Sequence, residues 1–185
     1  MTVRTVTMID ATGACSAVIP LGTPKVAGYV TGSDGVQWTT ADWSKFDLKQ
    51  VVRIDQSPGR GDLQAQVKDV EPGAASNDDA LSWGLARKAA GFVPCWYTSR
   101  GNLTPLLNTL TAGGLSRGHL WVADWSLDEE EAASQVKAQS GPFPVKAVQW
   151  ASPTSNPRTL LPGTTLTLAE ANCDLSVADE SWPYH

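Results

Sequence analysis

The chain has few of the residues that build metal centres, membrane spans or nucleic-acid surfaces. Its 185 residues include only three cysteines and two histidines, and their spacing does not match a zinc site. No apolar run approaches the roughly 18–20 residues of a membrane helix. The net charge of −5 gives no basic surface for nucleic acid or anionic lipid. We therefore expect no metal, no cofactor, no nucleic-acid partner and no membrane partner.

Signals for secretion and for disulfide bonds are also weak. The first residues, Met-Thr-Val-Arg-Thr-Val, lack the basic, apolar and small segments of a secretory signal peptide. Cys95 and Cys173 lie in strand-like runs, which favours buried thiols. A disulfide between two of the three cysteines, of which Cys15 is the third, stays open at this point.

The length and composition predict one folded domain that spans residues 1–185. The chain is long enough to bury a core without disulfides or metals, and its charged fraction of 18% argues against disorder. Eight tryptophans are a high number for this length. Most are expected in the core, and the others are candidates for stacking against sugar rings.

Strand-like runs alternate with amphipathic stretches along the chain. We predict eight strands, at residues 5–10, 26–31, 49–55, 65–71, 93–99, 120–126, 145–151 and 173–178. Helix starts are predicted where capping residues precede apolar periodicity, at Thr39, Ser76, Thr104 and Ser126. The stretch 152–163, rich in Pro, Ser and Thr, is predicted to be a long loop. Because such alternation favours parallel βα units, we predict a small, irregular TIM-like (β/α) barrel with eight strands and fewer than eight helices.

Asp69-Val70-Glu71 is the most informative motif of the chain. Side chains alternate across a strand with a period of two, so both carboxylates are predicted to project from one face. Two acids this close cannot ionise independently, and one of them holds its proton more tightly. One proton donor beside one anion is what glycoside hydrolysis requires. The alternative is that the two acids only solvate the end of a strand.

Further carboxylates fall at or near the predicted carboxyl ends of strands, where barrel enzymes place their reactive groups. These are Asp10, Asp55, Asp69, Glu71 and Asp124, while Asp174 lies near the start of the last strand. We expect all of them except Asp55 to face one mouth of the barrel. Asp also caps helices and opens loops, which is the alternative interpretation for any single one of these residues.

Six short motifs, taken in order, resemble one enzyme family. They are Met8-Ile-Asp10, Asp69-Val-Glu71, Cys95-Trp-Tyr97-Thr98, Leu120-Trp121-Val-Ala123, Val148-Gln149-Trp150 and Asp174-Leu175-Ser176. In these motifs the chain resembles, nearly end to end, the glycoside hydrolase family 25 lysozymes and the related glycoside-hydrolase-like barrels of actinobacteria and their phages. It departs from the family pattern after the third predicted strand, at Ser176 in place of Asn, and at Trp125 in place of Tyr.

The resemblance implies roles for the matching residues. Glu71 would be the general acid, its pKa raised by Asp69 and by partial burial. Asp10, Asp69 and Asp174 would surround the sugar whose bond is cleaved, attacked either by water or by the substrate's own acetamido group. The expected substrate-binding residues are Tyr97, Asp124, Gln149 and Trp150. Trp150 has an alternative place under the outer helices, because adjacent strand residues face opposite sides.

The resemblance implies a peptidoglycan-degrading muramidase, encoded by a phage, that hydrolyses the β-1,4 bond between N-acetylmuramic acid and N-acetylglucosamine. Its partner would be the glycan strands of the cell wall. The missing signal peptide then predicts a place in the virion, or in the host cytoplasm before release to the wall. The alternative is a catalytically weak or inactive glycan-binding or structural module of the tail or capsid, with other virion proteins as partners. Cleavage of cell walls by the isolated protein separates the two.

Overall fold

The computed structural model describes residues 2–183 and has a closed barrel of eight strands. The strands are β1 (Thr5–Ala11), β2 (Lys25–Tyr29), β3 (Val51–Asp55), β4 (Val67–Asp69), β5 (Cys95–Ser99), β6 (His119–Ala123), β7 (Val145–Ala151) and β8 (Cys173–Asp179). Each strand pairs with its neighbours in chain order, and β8 closes the barrel on β1. The predicted small α/β barrel is therefore confirmed.

Helices surround the barrel unevenly. They are α1 (Thr40–Trp43), α2 (Asn77–Ala89), α3 (Arg100–Ala112), α4 (Glu129–Ala138) and α5 (Leu168–Ala171), with a 3-10 helix at Gly13–Val18. Among the α-helices of the described residues, only α2, α3 and α4 exceed four residues, and the 3-10 helix contacts β1 and β2. No helix within residues 2–183 is both long and apolar enough to cross a membrane.

The expected parallel pairing holds from β1 to β7 and is wrong for β8. Strand β8 runs antiparallel to both β1 and β7. The reason lies in the connection after β7, which is a long loop followed by the one-turn helix α5. No helix long enough to span the barrel wall returns the chain to the opposite end of the barrel. Strand β8 therefore starts at the mouth, where β7 ends, and runs antiparallel to β7.

Alternation along the strands separates an inner layer from the outer clusters. Met8, Ala27, Tyr97 and Trp121 belong to a cluster inside the barrel, whereas neighbours such as Ile9 pack outside it. Trp121 fills the centre: its ring centroid lies 4.9 Å from that of Tyr97. Side chains therefore close the barrel below the mouth, as in larger barrels of this type.

Two predicted helix starts are correct and two are shifted. Capping boxes at Thr39 and Ser76 open α1 and α2. Helix α3 begins at Arg100, directly after β5, and contains Pro105 instead of starting there. Helix α4 is capped by Asp128 with Glu131. Helix α4 thus starts two residues later than predicted, and the Ser126 hydroxyl instead donates to Asp124 at 2.6 Å.

The cysteines are free thiols. Cys95 and Cys173 are buried, as predicted, and Cys15 is half-buried. Burial raises the pKa of the Cys173 thiol to about 12, which keeps it protonated and unreactive near neutral pH.

Candidate active site

A pocket of about 490 Å³ opens at the mouth where the parallel strands end. Its walls include Asp10, Tyr29, Glu71, Tyr97, Trp125, Gln149, Asn172, Asp174 and the loop residues 152–155. Five of the residues predicted from the sequence are thus brought together: Asp10, Glu71, Tyr97, Gln149 and Asp174. Asp69 lies deeper on the same face as Glu71 and is almost completely buried.

The reversed direction of β8 places Asp174 opposite Asp10. The two residues are direct partners in the antiparallel ladder, and their carboxyl groups share a hydrogen bond. In such ladders, directly opposed Cβ atoms lie about 4.5–5.5 Å apart. Because one of two hydrogen-bonded carboxyls must carry a proton, the pair has at most one negative charge in this arrangement.

Burial is the main reason why this pair holds its proton. It raises the pKa of Asp10 well above the ordinary value, and repulsion from Asp174 adds to the shift. Burial raises the pKa of Asp174 to about 7, although the hydrogen bond with Asp10 opposes the shift. The Oδ1 atom of Asp10 is buried without a hydrogen-bond partner among residues 2–183. Asp10 is therefore suited to be the member that keeps its proton, and Asp174 is the member that ionises as the pH rises through about 7.

Asp69 and Glu71 form the second pair of acids. Strand β4 ends at Asp69, but the Val70 amide still donates to the Tyr97 carbonyl oxygen at 2.9 Å. This extra ladder bond extends the alternation by two residues and points Glu71 to the same side as Asp69. Val70 points the other way, into the outer cluster beneath α2 and α3.

The two acids of this pair differ in burial. Burial, followed by repulsion from Glu71, raises the pKa of Asp69 to about 7. Burial alone raises the pKa of the half-buried Glu71. Repulsion between the two acids therefore raises the pKa of Asp69 and not that of Glu71, which corrects the expected influence of Asp69 on Glu71. Asp69 Oδ1 has no hydrogen-bond partner in the described part of the chain.

The backbone next to Glu71 is held from strand β5 and helix α3. The carbonyl oxygen of Val70 accepts a hydrogen bond from the Thr98 hydroxyl at 2.9 Å and a longer one from Asn102 Nδ2 at 3.4 Å. Asn102 Nδ2 also donates to Thr98 Oγ1 at 3.0 Å. These contacts set the position from which the Glu71 side chain enters the pocket.

Aromatic and amide groups form the opposite wall. The Tyr97 hydroxyl donates to Gln149 Oε1 at 2.5 Å, and both residues are buried. This bond orients the Gln149 amide so that its NH₂ group is directed away from Tyr97. Burial, with the charges of Asp69 and Asp10, raises the pKa of Tyr29 well above its ordinary value, so its hydroxyl keeps its proton.

The structure adds pocket residues that the sequence did not single out as binding groups. Trp125 is 46% exposed and lines the pocket just after β6. Asn172 lines it from a left-handed backbone conformation with φ of 51°. The loop residues 152–155 form the remaining rim. Only Trp125 left a signal in the sequence, as an aromatic residue at the carboxyl end of the strand predicted at residues 120–126.

Two expected substrate-binding residues lie elsewhere. Asp124 does not line the pocket, since its carboxylate accepts hydrogen bonds from Arg100 at 2.8 Å and from Ser126. Trp150 follows the inward-facing Gln149 and packs against two outer clusters. A β-bulge is present between Gln149 and Ala151, but it does not turn Trp150 into the pocket. These two expectations are therefore corrected.

Asp55, the expected exception, faces away from the mouth. It follows the inward-facing Ile54, and its carboxylate contacts Lys68 Nζ at 2.8 Å. Both side chains are completely buried. The ion pair stabilises the outer side of β3 and β4, directly behind Asp69.

The chemistry of this pocket is inferred from its own residues, because comparisons with known proteins give no match. The chain matches no family model, no curated protein and no solved structure. The mouth of the barrel combines four carboxylates, and Asp69 and Asp174 have pKa values raised to about 7. Such a group can donate a proton to a ligand and stabilise a positive charge on it.

Proposed function

We propose that this protein is a muramidase that hydrolyses the β-1,4 bond between N-acetylmuramic acid and N-acetylglucosamine in peptidoglycan. One observation carries the proposal. Asp10 and Asp174, paired across the antiparallel ladder, line one pocket of the barrel mouth together with Glu71, and Asp69 is buried behind Glu71. The order of short motifs that resemble family 25 lysozymes supports the same reaction and the origin from a phage.

Glu71 is the best placed general acid. It lines the pocket and is only half-buried, whereas Asp69 is enclosed behind it. In the reaction, Glu71 donates its proton to the glycosidic oxygen as the bond from that oxygen to the anomeric carbon breaks. Water then supplies a hydroxyl group to the anomeric carbon, and its second proton restores the acid.

The Asp10–Asp174 pair is suited to the charge that develops on the sugar. When Asp174 is ionised, the negative charge of the pair lies in a buried setting, where electrostatic stabilisation of an oxocarbenium-like transition state is stronger than in water. The Gln149 amide, oriented by Tyr97, can donate to the carbonyl oxygen of an acetamido group. These roles match the substrate class, because both sugars of peptidoglycan carry N-acetyl groups.

The test is digestion of purified cell walls with the purified protein. After reduction of the new reducing ends, a muramidase gives the alcohol of N-acetylmuramic acid, and a glucosaminidase gives that of N-acetylglucosamine. We expect the first product. Binding to walls without new reducing ends, on any wall tested, would overturn the proposal and favour a glycan-binding virion module.

The Asp69→Asn variant is expected to move the alkaline limb of the pH–rate profile to lower pH. In the wild-type pair, Asp69 has a pKa of about 7, so the pair keeps one proton up to that pH. Without the second carboxyl, Glu71 has only its own, burial-raised pKa, and the proton is lost earlier as pH rises. We expect a shift of about one pH unit in kcat/KM, together with a lower maximal rate.

The matched control for this change is Asp34→Asn, which removes the same charge from an exposed loop. Its profile should superimpose on that of the wild type. A limb that stays in place in Asp69→Asn would mean that the pair does not titrate as a unit.

Trp125→Ala and Trp150→Ala are expected to have opposite effects. Trp125 is exposed at the pocket, so its loss should weaken binding of a glycan fragment about 10-fold, as for a lost stacking contact, with little change in melting temperature. Trp150 packs outside the barrel, so its loss should cost about 3 kcal/mol of stability and leave affinity unchanged. Calorimetric titration and thermal melting of both variants check this. The reverse pattern would place Trp150 in the site.

A further inference from the structure

A cavity of about 460 Å³ lies towards the end of the barrel opposite the mouth, beside the amino ends of β4 and β5 and the last turn of α2. Among the described residues that line it, the ionisable ones are two arginines, Arg53 and Arg87, and none is an acid. We call it the arginine cavity. The chain as a whole carries a net charge of −5, so this local excess of positive charge runs against the average of the protein.

Arg87 is held rigidly at this cavity. It lies in the last turn of α2 and is only 5% exposed. Its Cζ atom lies 5.4 Å from the ring centroid of Trp83 and 4.4 Å from that of Phe92, and its Nη1 atom donates to the Leu63 carbonyl oxygen at 2.7 Å. The two rings and the hydrogen bond fix the position of the guanidinium group.

The protein leaves the charge of Arg87 incompletely compensated. Its buried Nε atom has no hydrogen-bond partner among residues 2–183. The charge of Asp62 acts on Arg87, but the two form no ion pair. Burial lowers the pKa of Arg87, because a buried charge without a counter-ion is unfavourable. An anion bound in the cavity would supply the missing counter-charge at short range.

Three further side chains bring N–H donors to the same cavity. Arg53 is half-buried, and it forms no ion pair in the described part of the chain. Gln66 Oε1 accepts a hydrogen bond from the Arg53 backbone amide at 2.8 Å, which leaves the Gln66 NH₂ group to donate. Gln64 adds a second amide. The cavity therefore offers guanidinium and amide donors without a competing carboxylate.

Apolar groups border these donors. Phe92 is 46% exposed, although its ring also packs on Arg87. Val93 and Pro183 line the cavity beside it. An exposed aromatic ring next to fixed cations suits a ligand that has an anionic end and an apolar ring.

We propose that the arginine cavity binds a small organic oxyanion, whose carboxylate or phosphate contacts Arg53 and Arg87 and whose apolar ring packs on Phe92. Both anions accept paired hydrogen bonds from guanidinium groups. The site shares no lining residue with the pocket at the mouth, and it does not depend on the proposed function. The carboxylates at the mouth would repel such a ligand when ionised, so the two sites select opposite charges.

Calorimetric titration of the full chain with three ring compounds tests the proposal. Phenyl phosphate and benzoate carry the two anions, and benzyl alcohol has the same ring without a charge. We expect at least one anion to bind about 10-fold more tightly than benzyl alcohol, as for hydrogen bonds to a charged group. The anion that binds more tightly identifies the class of ligand. In NMR spectra, the amide signals of residues 91–93 should move, and those of Asp10 and Asp174 should not.

Two variants with the same loss of charge locate the anion. Arg53→Gln should weaken anion binding about 10-fold or more, with little change in melting temperature. Arg117→Gln is the matched control, because Arg117 is exposed and does not line the cavity, and it should bind as the wild type does. Should Arg53→Gln melt well below the control, Arg87→Lys replaces it. That variant keeps the charge but loses the planar guanidinium, so the anion should again bind more weakly.

Three results would overturn the proposal. They are the absence of binding by both anions, binding of benzyl alcohol as tight as that of the anions, and equal anion affinity in the cavity variant and in Arg117→Gln. Amide shifts confined to the mouth of the barrel would also overturn it, by placing the ligand there. None of these results bears on cell-wall cleavage, so the proposed function is tested separately.

Discussion

Replacing Glu71 with glutamine is expected to abolish cell-wall cleavage and to leave the fold intact. Glutamine has nearly the same shape as glutamate but cannot supply a proton to the glycosidic oxygen. General acid catalysis contributes about 10²–10⁴ to the rate, so kcat should fall by at least that lower factor. The fold should be retained because Glu71 is half-buried and takes part in no ion pair among the described residues. Release of reducing ends and thermal melting measure the two effects.

The control for Glu71→Gln is Glu129→Gln, the same change at an exposed position of helix α4. That variant should cleave walls as the wild type does. Binding of a tetrasaccharide fragment to Glu71→Gln should persist, since the side chain that changes still fills the same space. Equal wall cleavage by Glu71→Gln and the wild type would remove Glu71 from its role as the acid.

Replacing Lys68 with methionine is expected to cause the largest loss of stability, about 3–5 kcal/mol, because it leaves a buried carboxylate without its cation. Asp55 and Lys68 are completely buried and 2.8 Å apart. Burial opposes ionisation of Asp55, but hydrogen bonds from Lys68 and Ser57 outweigh it and lower the pKa of Asp55. A lowered pKa in the folded state stabilises the protein above the ordinary pKa of Asp, and this contribution is lost as the pH falls.

Urea denaturation at neutral pH measures the effect of Lys68→Met, and two further variants interpret it. Lys45→Met removes an exposed partner of Asp42 and should change stability by less than about 1 kcal/mol. The double variant Asp55→Asn with Lys68→Met should be less destabilised than the sum of its single changes, because neither then leaves an unpaired charge. Additive effects would show that the pair contributes no coupling.

The sequence determines the local features of the candidate site. Side chains that alternate with a period of two along β4 and just after it predict that Asp69 and Glu71 share a face. In the structure both side chains lie on one face at the mouth of the barrel. Capping boxes at Thr39 and Ser76 were predictable because their hydrogen bonds join residues only three positions apart. The number of strands followed from the same kind of local pattern.

Competition between nearby partners explains the local errors. Ser126 carries the signature of a helix cap, but its hydroxyl bonds to Asp124, which a capping pattern cannot reveal. The Asp124 carboxylate accepts a hydrogen bond from Arg100 on α3 and does not line the pocket. A sequence motif indicates which hydrogen bonds a residue is able to make. Which partner lies within reach depends on the tertiary structure.

Only the tertiary structure decided which distant groups meet. The direction of β8 follows from the connection after β7 and from the pairing of its two edges with β1 and β7, and the antiparallel direction sets Asp174 against Asp10. The outward position of Trp150 and the pocket that joins Asp10, Glu71 and Asp174 likewise depend on packing between elements far apart in the chain. Local sequence determines hydrogen bonds and side-chain alternation over a few residues. Burial of apolar surface across the whole barrel selects the arrangement that brings those local pieces together.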